Sequence, residues 1–292
     1  MSSTRTLISP AQLARPRGRF IYWVVFALVV GLFTLVFLGP LYWMVSGGLK
    51  TTQEVVQSPP TLVPRTVHPE NYSRAWDVMD LSRLLFNTLY YALGALAFQL
   101  VLDVAAAYSL SRLRPVFGRA ILAMMMVTLM IPATVLVVPQ YLTVLDVPIV
   151  ERNLLNSPWV IWLPSVTNAF NIFLLKRFFD SIPRELLDAA SIDGASRMRT
   201  LWSVVLPISR PILGVVSIFA VVGVWKDFLW PMLTLPDPDK QTLNVGIYSL
   251  ANGVPENVLI AALAIASVPT LLIFLVFQRN IMSGLTAGGL KG

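Results

Sequence analysis

Few residues in this 292-residue chain are of a type that does chemistry, and their placement excludes most of it. Cysteine is absent, which removes disulfides and thiolate metal sites. His68 is the only histidine, so the chain alone cannot build a multi-histidine metal centre or a histidine relay. Gly284 and Gly289 carry the spacing of a phosphate-binding loop before Lys291. However, Leu290 intervenes, no Ser or Thr follows, and no strand leads into the segment. No catalytic residue, metal site or bound cofactor is therefore expected of this chain. What remains are ionisable residues inside apolar sequence: Asp103 and the pair Lys226–Asp227. At membrane depth each costs at least about 2.5 kcal/mol on insertion scales, so each needs a partner or water. Asp103 lies within about two helical turns of the end of its apolar stretch. It either pairs with a neighbouring segment or lines a solute path.

The elements that must position these residues follow from composition. Of the chain, 56% is hydrophobic and 13% charged, against about 25% charged in a soluble domain. Mean hydropathy is +0.70. The chain reads as an all-α integral membrane protein. Six apolar stretches meet the roughly 20-residue length of a span: about 20–45, 84–110, 120–145, 153–175, 212–235 and 258–278. Pro132 and Pro139 fall inside the third. The first follows Arg5, Arg15, Arg17 and Arg19, but it is far longer than a signal-peptide core. It reads as an uncleaved helix anchored by Tyr22 and Trp23. The proline-rich loop from Lys50 to Arg83 (Pro59, Pro60, Pro64, Pro69) is expected to be an ordered external cap without regular structure.

Lysine and arginine set the orientation. They concentrate before span one, in 112–119, in 176–210 and after span six, and are sparser in the alternate loops. Both termini are expected in the cytoplasm, residues 1–19 and 281–292 being cytoplasmic ends of a transmembrane domain over 20–280. The net charge of +7 then points to anionic lipid and not to nucleic acid, because the basic residues cluster at span ends.

The longest cytoplasmic connection, 180–211, reads DSIPRELLDAASIDGASRMRTLWSVVLPISRP. Pro183 suits a first helical turn, and Glu185 and Asp188 complement its positive end. Leu187, Ala190 and Gly194 recur on one face. Gly194 is expected to end the helix, with a second from about Ser196 to Val205 before Pro207. By pattern alone this hairpin is either a docking element with a small-residue face or an amphipathic helix at the membrane surface.

The segment Asp188-Ala189-Ala190-Ser191-Ile192-Asp193-Gly194-Ala195, followed by Leu206-Pro207, resembles the EAA loop of binding-protein-dependent ABC importer permeases. Asp188 stands where the family usually has glutamate. Trp225-Lys226-Asp227-Phe228-Leu229-Trp230-Pro231 is similar to the W-N-x-F-L-W-P segment of the carbohydrate subgroup, with Lys226 in place of asparagine. The tail from Gly284 to Gly292 looks like that of the MalG-type subunit.

The resemblance implies a permease working with a second, homologous permease, a dimer of cytoplasmic ABC ATPases and an extracytoplasmic solute-binding protein. The complex would lie in a bacterial or archaeal cytoplasmic membrane, with ATP and Mg used by the ATPase alone. It implies that Glu185, Asp188, Ala189, Ala190, Asp193, Gly194 and Ala195 couple to the ATPase. Trp225, Lys226, Asp227, Phe228 and Trp230 are the candidate solute path, aromatic faces and polar groups suiting a sugar, although tryptophans also anchor spans at the interface. Lys226 would either tolerate an anionic solute, such as a glycerol phosphate, or form an ion pair. Two rivals stand outside the family: an ion-coupled secondary transporter, which leaves the hairpin unexplained, and a polytopic membrane enzyme, which lacks the residues.

Overall fold

The computed structural model describes residues 16–148 and 151–289. Arg5, Arg15 and the tail positions Leu290, Lys291 and Gly292 lie outside the described residues. Secondary structure among the described residues is helical, apart from one isolated bridge between Val147 and Arg152. By internal contacts the chain divides into two units, Met1–Arg74 with Pro255–Ala264, and Ala75–Val254 with Ile265–Gly292.

The first unit contains α1 (Pro16–Gly48), whose side chains from Ile21 to Leu38 are almost all exposed. Only its carboxyl end is packed. A β-carbon on Gly48 would lie 3.0 Å from the Ala261 backbone, so only glycine allows that approach. Lys50, 1% exposed, donates to the Thr61 carbonyl and sits 4.5 Å from the Trp43 ring centroid. Its own carbonyl accepts from Asn71 at 2.9 Å and Asn257 at 3.1 Å. The proline-rich loop is ordered, as its sequence predicts, but it is not devoid of regular structure. Thr51 caps a helical turn at Thr52–Val56, and α2 (Glu70–Val78) follows directly after Pro69. The prolines fall between these helices, where a missing N–H costs nothing.

In the second unit α3 (Leu81–Tyr108) runs on into a π turn, Ser109–Leu113. Around it lie α4 (Gly118–Thr128), α5 (Ala133–Leu145), α6 (Ala169–Ser181), α7 (Arg184–Ile192), α8 (Arg197–Ile208), α9 (Arg210–Lys226), α10 (Leu229–Thr234) and α11 (Leu243–Leu250). The last helix, α12 (Glu256–Gly289), has its residues up to Ala264 in the first unit and the rest in the second. Two apolar clusters hold the unit together. One joins Val104, Ala107 and Tyr108 of α3 to Ile172, Leu175 and Phe179 of α6 and Val215 and Val216 of α9. The other joins Tyr91, Ala92 and Ala95 to Val160, Ile161, Val224 and Trp230. Gly94 permits a close crossing here. A β-carbon on it would lie 2.3 Å from the Trp162 ring, whose Nε1 donates to the Tyr91 carbonyl at 3.2 Å.

Among the described residues, three helices are long and apolar enough to cross a membrane: Pro16–Gly48, Leu81–Leu113 and Glu256–Gln278. Two bent pairs raise this to five if each is one span: α4 with α5, bent by 102°, and α8 with α9, bent by 82°. The stretch expected as span 153–175 is interrupted. Its helical parts are Trp159–Trp162 and α6, separated at an extended Asn168. In the expected fifth span α9 stops at Lys226 and α10 starts at Leu229.

Candidate functional site

Broken helices leave backbone N–H and C=O groups without intrahelical partners, and in a bilayer these must be met by protein. Polar side chains on α3 meet them. Asp103, fully buried, accepts from Asn168 N at 2.9 Å, and the Gln99 and Asn171 side chains face the same carboxylate. Thr88 Oγ accepts from Leu243 N at 2.8 Å at the start of α11. Asn87 donates to the Asp239 and Gln241 carbonyls, and Tyr91 Oη to Lys240 O at 2.9 Å. Asp103 thus pairs with a neighbouring segment, but through a backbone N–H and not through a cation.

Beside these breaks lies a cavity of about 420 Å³. Gln99, Ser165, Thr167, Asn168, Asn171 and Asp227 supply its polar lining, and Ile161, Phe219 and Trp230 its apolar lining. No lysine or arginine contributes. Asp227 lies just before α10, and its carboxylate accepts from Trp230 N at 3.5 Å. Trp230 is buried and donates from Nε1 to Val160 O at 2.7 Å, which fixes its ring as a wall.

The structure therefore separates the candidate path residues. Asp227 and Trp230 line the cavity. Trp225 is buried, with its carbonyl accepting from Asn244 at 2.9 Å. Phe228 packs edge-on against Tyr248. Lys226 is exposed, outside the cavity lining and outside every ion pair recorded among the described residues. The amides and hydroxyls of 165–171 are missed by sequence reasoning, although T-N-A-F-N inside an apolar stretch was an available signal.

The second site is the hairpin. Pro183 precedes α7 as its N-cap, and Glu185 sits in the first turn. At the other end Gly194 has φ +72°, with Gly194 N bonded to Ser191 O at 3.1 Å and Ala195 N to Ala190 O at 2.9 Å. That pair of bonds is a Schellman motif, which requires the left-handed conformation glycine adopts freely. Ser196 then caps α8 by accepting from Arg199 N at 3.3 Å. The second helix does not stop before Pro207, as the sequence predicts. It widens into a π turn at Leu201–Val205, where Leu206 N bonds Leu201 O, and ends at Ile208. Pro207 has no N–H to place at that point, so the helix passes through it.

The faces of α7 also differ from the sequence reading. Ala190 is buried and Leu187 packs on the α3–α6–α9 cluster, so this small-residue face turns towards the chain's own core. Glu185, Asp188, Ala189, Asp193 and Gly194 are exposed and Ala195 half-buried. With them lies Ile192, 87% exposed, which sequence reasoning does not single out. Asp180, at the foot of the hairpin, is bound by Lys176 at 2.6 Å and Ser111 at 2.7 Å. Burial alone would push its carboxyl up. The Lys176 and Ser111 hydrogen bonds, with the charges of Lys176 and Arg112, outweigh that and hold it below the ordinary carboxylate range.

With this geometry in place, comparison with known proteins is direct. Residues 99–286 match the family described as "Binding-protein-dependent transport system inner membrane component". The chain is 35% identical over 269 residues to the sulfoquinovosyl glycerol transport system permease protein of Agrobacterium fabrum, covering 91% of this chain and 90% of that one. It is 31% identical to a diacetylchitobiose uptake system permease protein of Streptomyces coelicolor, covering 88% and 85%. It is 28% identical to the sn-glycerol-3-phosphate transport system permease protein of Rhizobium meliloti, covering 88% and 93%. In fold it is similar to a bacterial ABC transporter involved in import of the acidic polysaccharide alginate, with TM-score 0.79, 24% identity and coverage of 91% and 98%. The chain belongs to the inner membrane components of binding-protein-dependent transport systems, and it is a permease subunit, not an enzyme.

Proposed function

We propose that this chain is one of two homologous permeases in an ATP-driven importer, passing a sugar or sugar-derived solute handed over by an extracytoplasmic binding protein. A dimer of ABC ATPases, the only users of ATP and Mg in the complex, would dock on α7. The observation that carries this reading is the construction of the hairpin. Its inner residue Leu187 packs on the core shared with α3, α6 and α9 and Ala190 is buried, while Glu185, Ala189, Ile192 and Asp193 are exposed. An element built so transmits a push as a rigid body, and coupling needs packed elements of that kind. Both termini cytoplasmic and six spans, two or more of them broken, fit the charge bias and the bent helices. A solute path through the cavity near Asp227 and Trp230 is supported by its lining. Amides, hydroxyls and one carboxylate suit the hydroxyls of a sugar, and the absence of a lining cation favours an uncharged part of the solute over a phosphate.

The test is to tag the chain, extract it in mild detergent from its native membrane and identify what co-purifies by mass spectrometry. An ATPase and a second permease are expected. Recovery of this chain alone, where other ABC complexes stay intact, would overturn the reading and direct attention to ion-gradient uptake.

A further inference from the structure

A second cavity, of about 390 Å³, lies where the end of α3 meets the hairpin, and four arginines line it: Arg112, Arg114, Arg184 and Arg197. They come from separate places in the fold: the π turn after α3, the residue following it, the first position of α7 and the first position of α8. Asp188 is the one acid in the lining. None of the four arginines belongs to an ion pair recorded among the described residues. Arg112 donates from one terminal nitrogen to the Phe179 and Ile182 carbonyls, but its Nε is buried without a partner. The charge of Asp180, outside the lining, acts on Arg112 favourably, and those of Arg114 and Arg184 act on it unfavourably.

Converging like charges around a concavity repel one another, and an anion in the cavity would remove that cost. Arg112 is half-buried in the cavity lining, and Arg114, Arg184 and Arg197 are exposed, so an anion can reach them from solvent. Guanidinium groups match phosphate oxygens two at a time, which makes a phosphate the fitting anion for such a cluster. The surroundings point the same way. Arg114 is followed by Val116, 93% exposed, and Phe117, 73% exposed. Trp202 of α8 is 67% exposed. Basic residues interleaved with exposed apolar and aromatic ones are what the surface of an anionic leaflet attracts.

We propose that this cavity is a binding site for a phosphate group, carried by an anionic phospholipid headgroup or by a small soluble anion, and that its occupant bridges the end of α3 to α7. One wall is the Arg184–Asp188–Ser191 face of α7, so an occupant ties the hairpin to the spans from the side its outward face leaves open.

The test uses the assembled complex in detergent and two probes: dihexanoyl phosphatidylglycerol, with dihexanoyl phosphatidylcholine as the zwitterionic control, and inorganic phosphate. Binding is read by isothermal titration calorimetry. Saturable binding of at least one anionic probe is expected, with phosphatidylcholine silent. Phosphatidylglycerol alone would make the source lipid; binding of inorganic phosphate as well would make it any phosphate. The double variant Arg114→Gln/Arg197→Gln should weaken binding about a hundredfold, about tenfold for each guanidinium group removed. The double variant Arg114→Lys/Arg197→Lys, which keeps the charge and tests the site if the first fails to assemble, should bind more weakly than wild type and more tightly than the Gln form. No saturable binding by the wild-type complex, or equal affinity in wild type and both variants, would overturn the proposal.

Discussion

The two cavities of the second unit are nearly equal in volume and opposite in chemistry. The one beside Asp227 is lined by amides, hydroxyls and one carboxylate, and the buried Asp103 nearby accepts from a backbone N–H at a helix break. The one beside α7 is lined by four guanidinium groups with a single carboxylate among them. The difference follows from what each can use as solvent. At membrane depth a bare charge is expensive, so polarity is delivered mostly by neutral groups and by the backbone at helix breaks, and the one carboxylate accepts from a backbone N–H. Where the spans end, water and headgroups screen charge, and arginine is readily tolerated. A cavity's lining thus reports its depth as well as its ligand.

That contrast can be tested at single residues that brace the elements around the two cavities. The largest effect is expected from Gly94→Val. Its β-carbon would lie 2.3 Å from the Trp162 ring, and overpacking of a tight crossing costs about 1–3 kcal/mol or more. Thermal unfolding of the purified complex should show it, and an unchanged Tm would mean the crossing is looser than described. Next is Asp103→Leu, which strips Asn168 N of its acceptor at a cost of about 1–3 kcal/mol. Asp103→Asn keeps an acceptor and should recover most of the loss. Equal damage from both would show that the negative charge itself matters. On the hairpin, Gly194→Ala forces alanine into a left-handed conformation at a cost of roughly 1 kcal/mol. It should lower ATPase co-purification more than it lowers Tm, and the reverse order would make Gly194 a matter of folding alone.

The smallest effect belongs to Asp180. Because its folded pKa is depressed, the stability it adds is fully present above its unfolded value and is lost as pH falls through the folded one. Asp180→Asn should cost about 1 kcal/mol at neutral pH and flatten the acid limb of a Tm-against-pH curve.

Hydropathy made the apolar stretches legible, because a span is a local property of about twenty consecutive residues. It did not reveal the breaks. The fourth stretch is uncharged from Asn153 to Leu175, and what parts it at Asn168 is a carboxylate 65 residues earlier. The fifth stretch announced Lys226 and Asp227 as a pair, yet the fold gives Asp227 to the cavity and leaves Lys226 outside it. The turn at Gly194 was legible because a Schellman motif is written in neighbouring residues. The inward turn of Leu187 and Ala190 was not, since periodicity shows that residues share a face and not which way it looks. The arginine cavity was invisible for the same reason: its four arginines lie up to 85 positions apart, from Arg112 to Arg197, and meet only through packing.

One consequence of α1 concerns tolerance to change. Gly31 and Gly39 have nothing within 4 Å of an added β-carbon, and the side chains around them are almost all exposed among the described residues. Such a helix is constrained by length and oiliness and hardly by shape. In a deep mutational scan its middle turns should accept one apolar residue for another almost at random, whereas Gly94, Thr88 and Asp103 on α3 admit few alternatives. Any position between Ile21 and Leu38 that proves intolerant would then mark where another molecule rests, which makes this stretch of α1 a detector of neighbours.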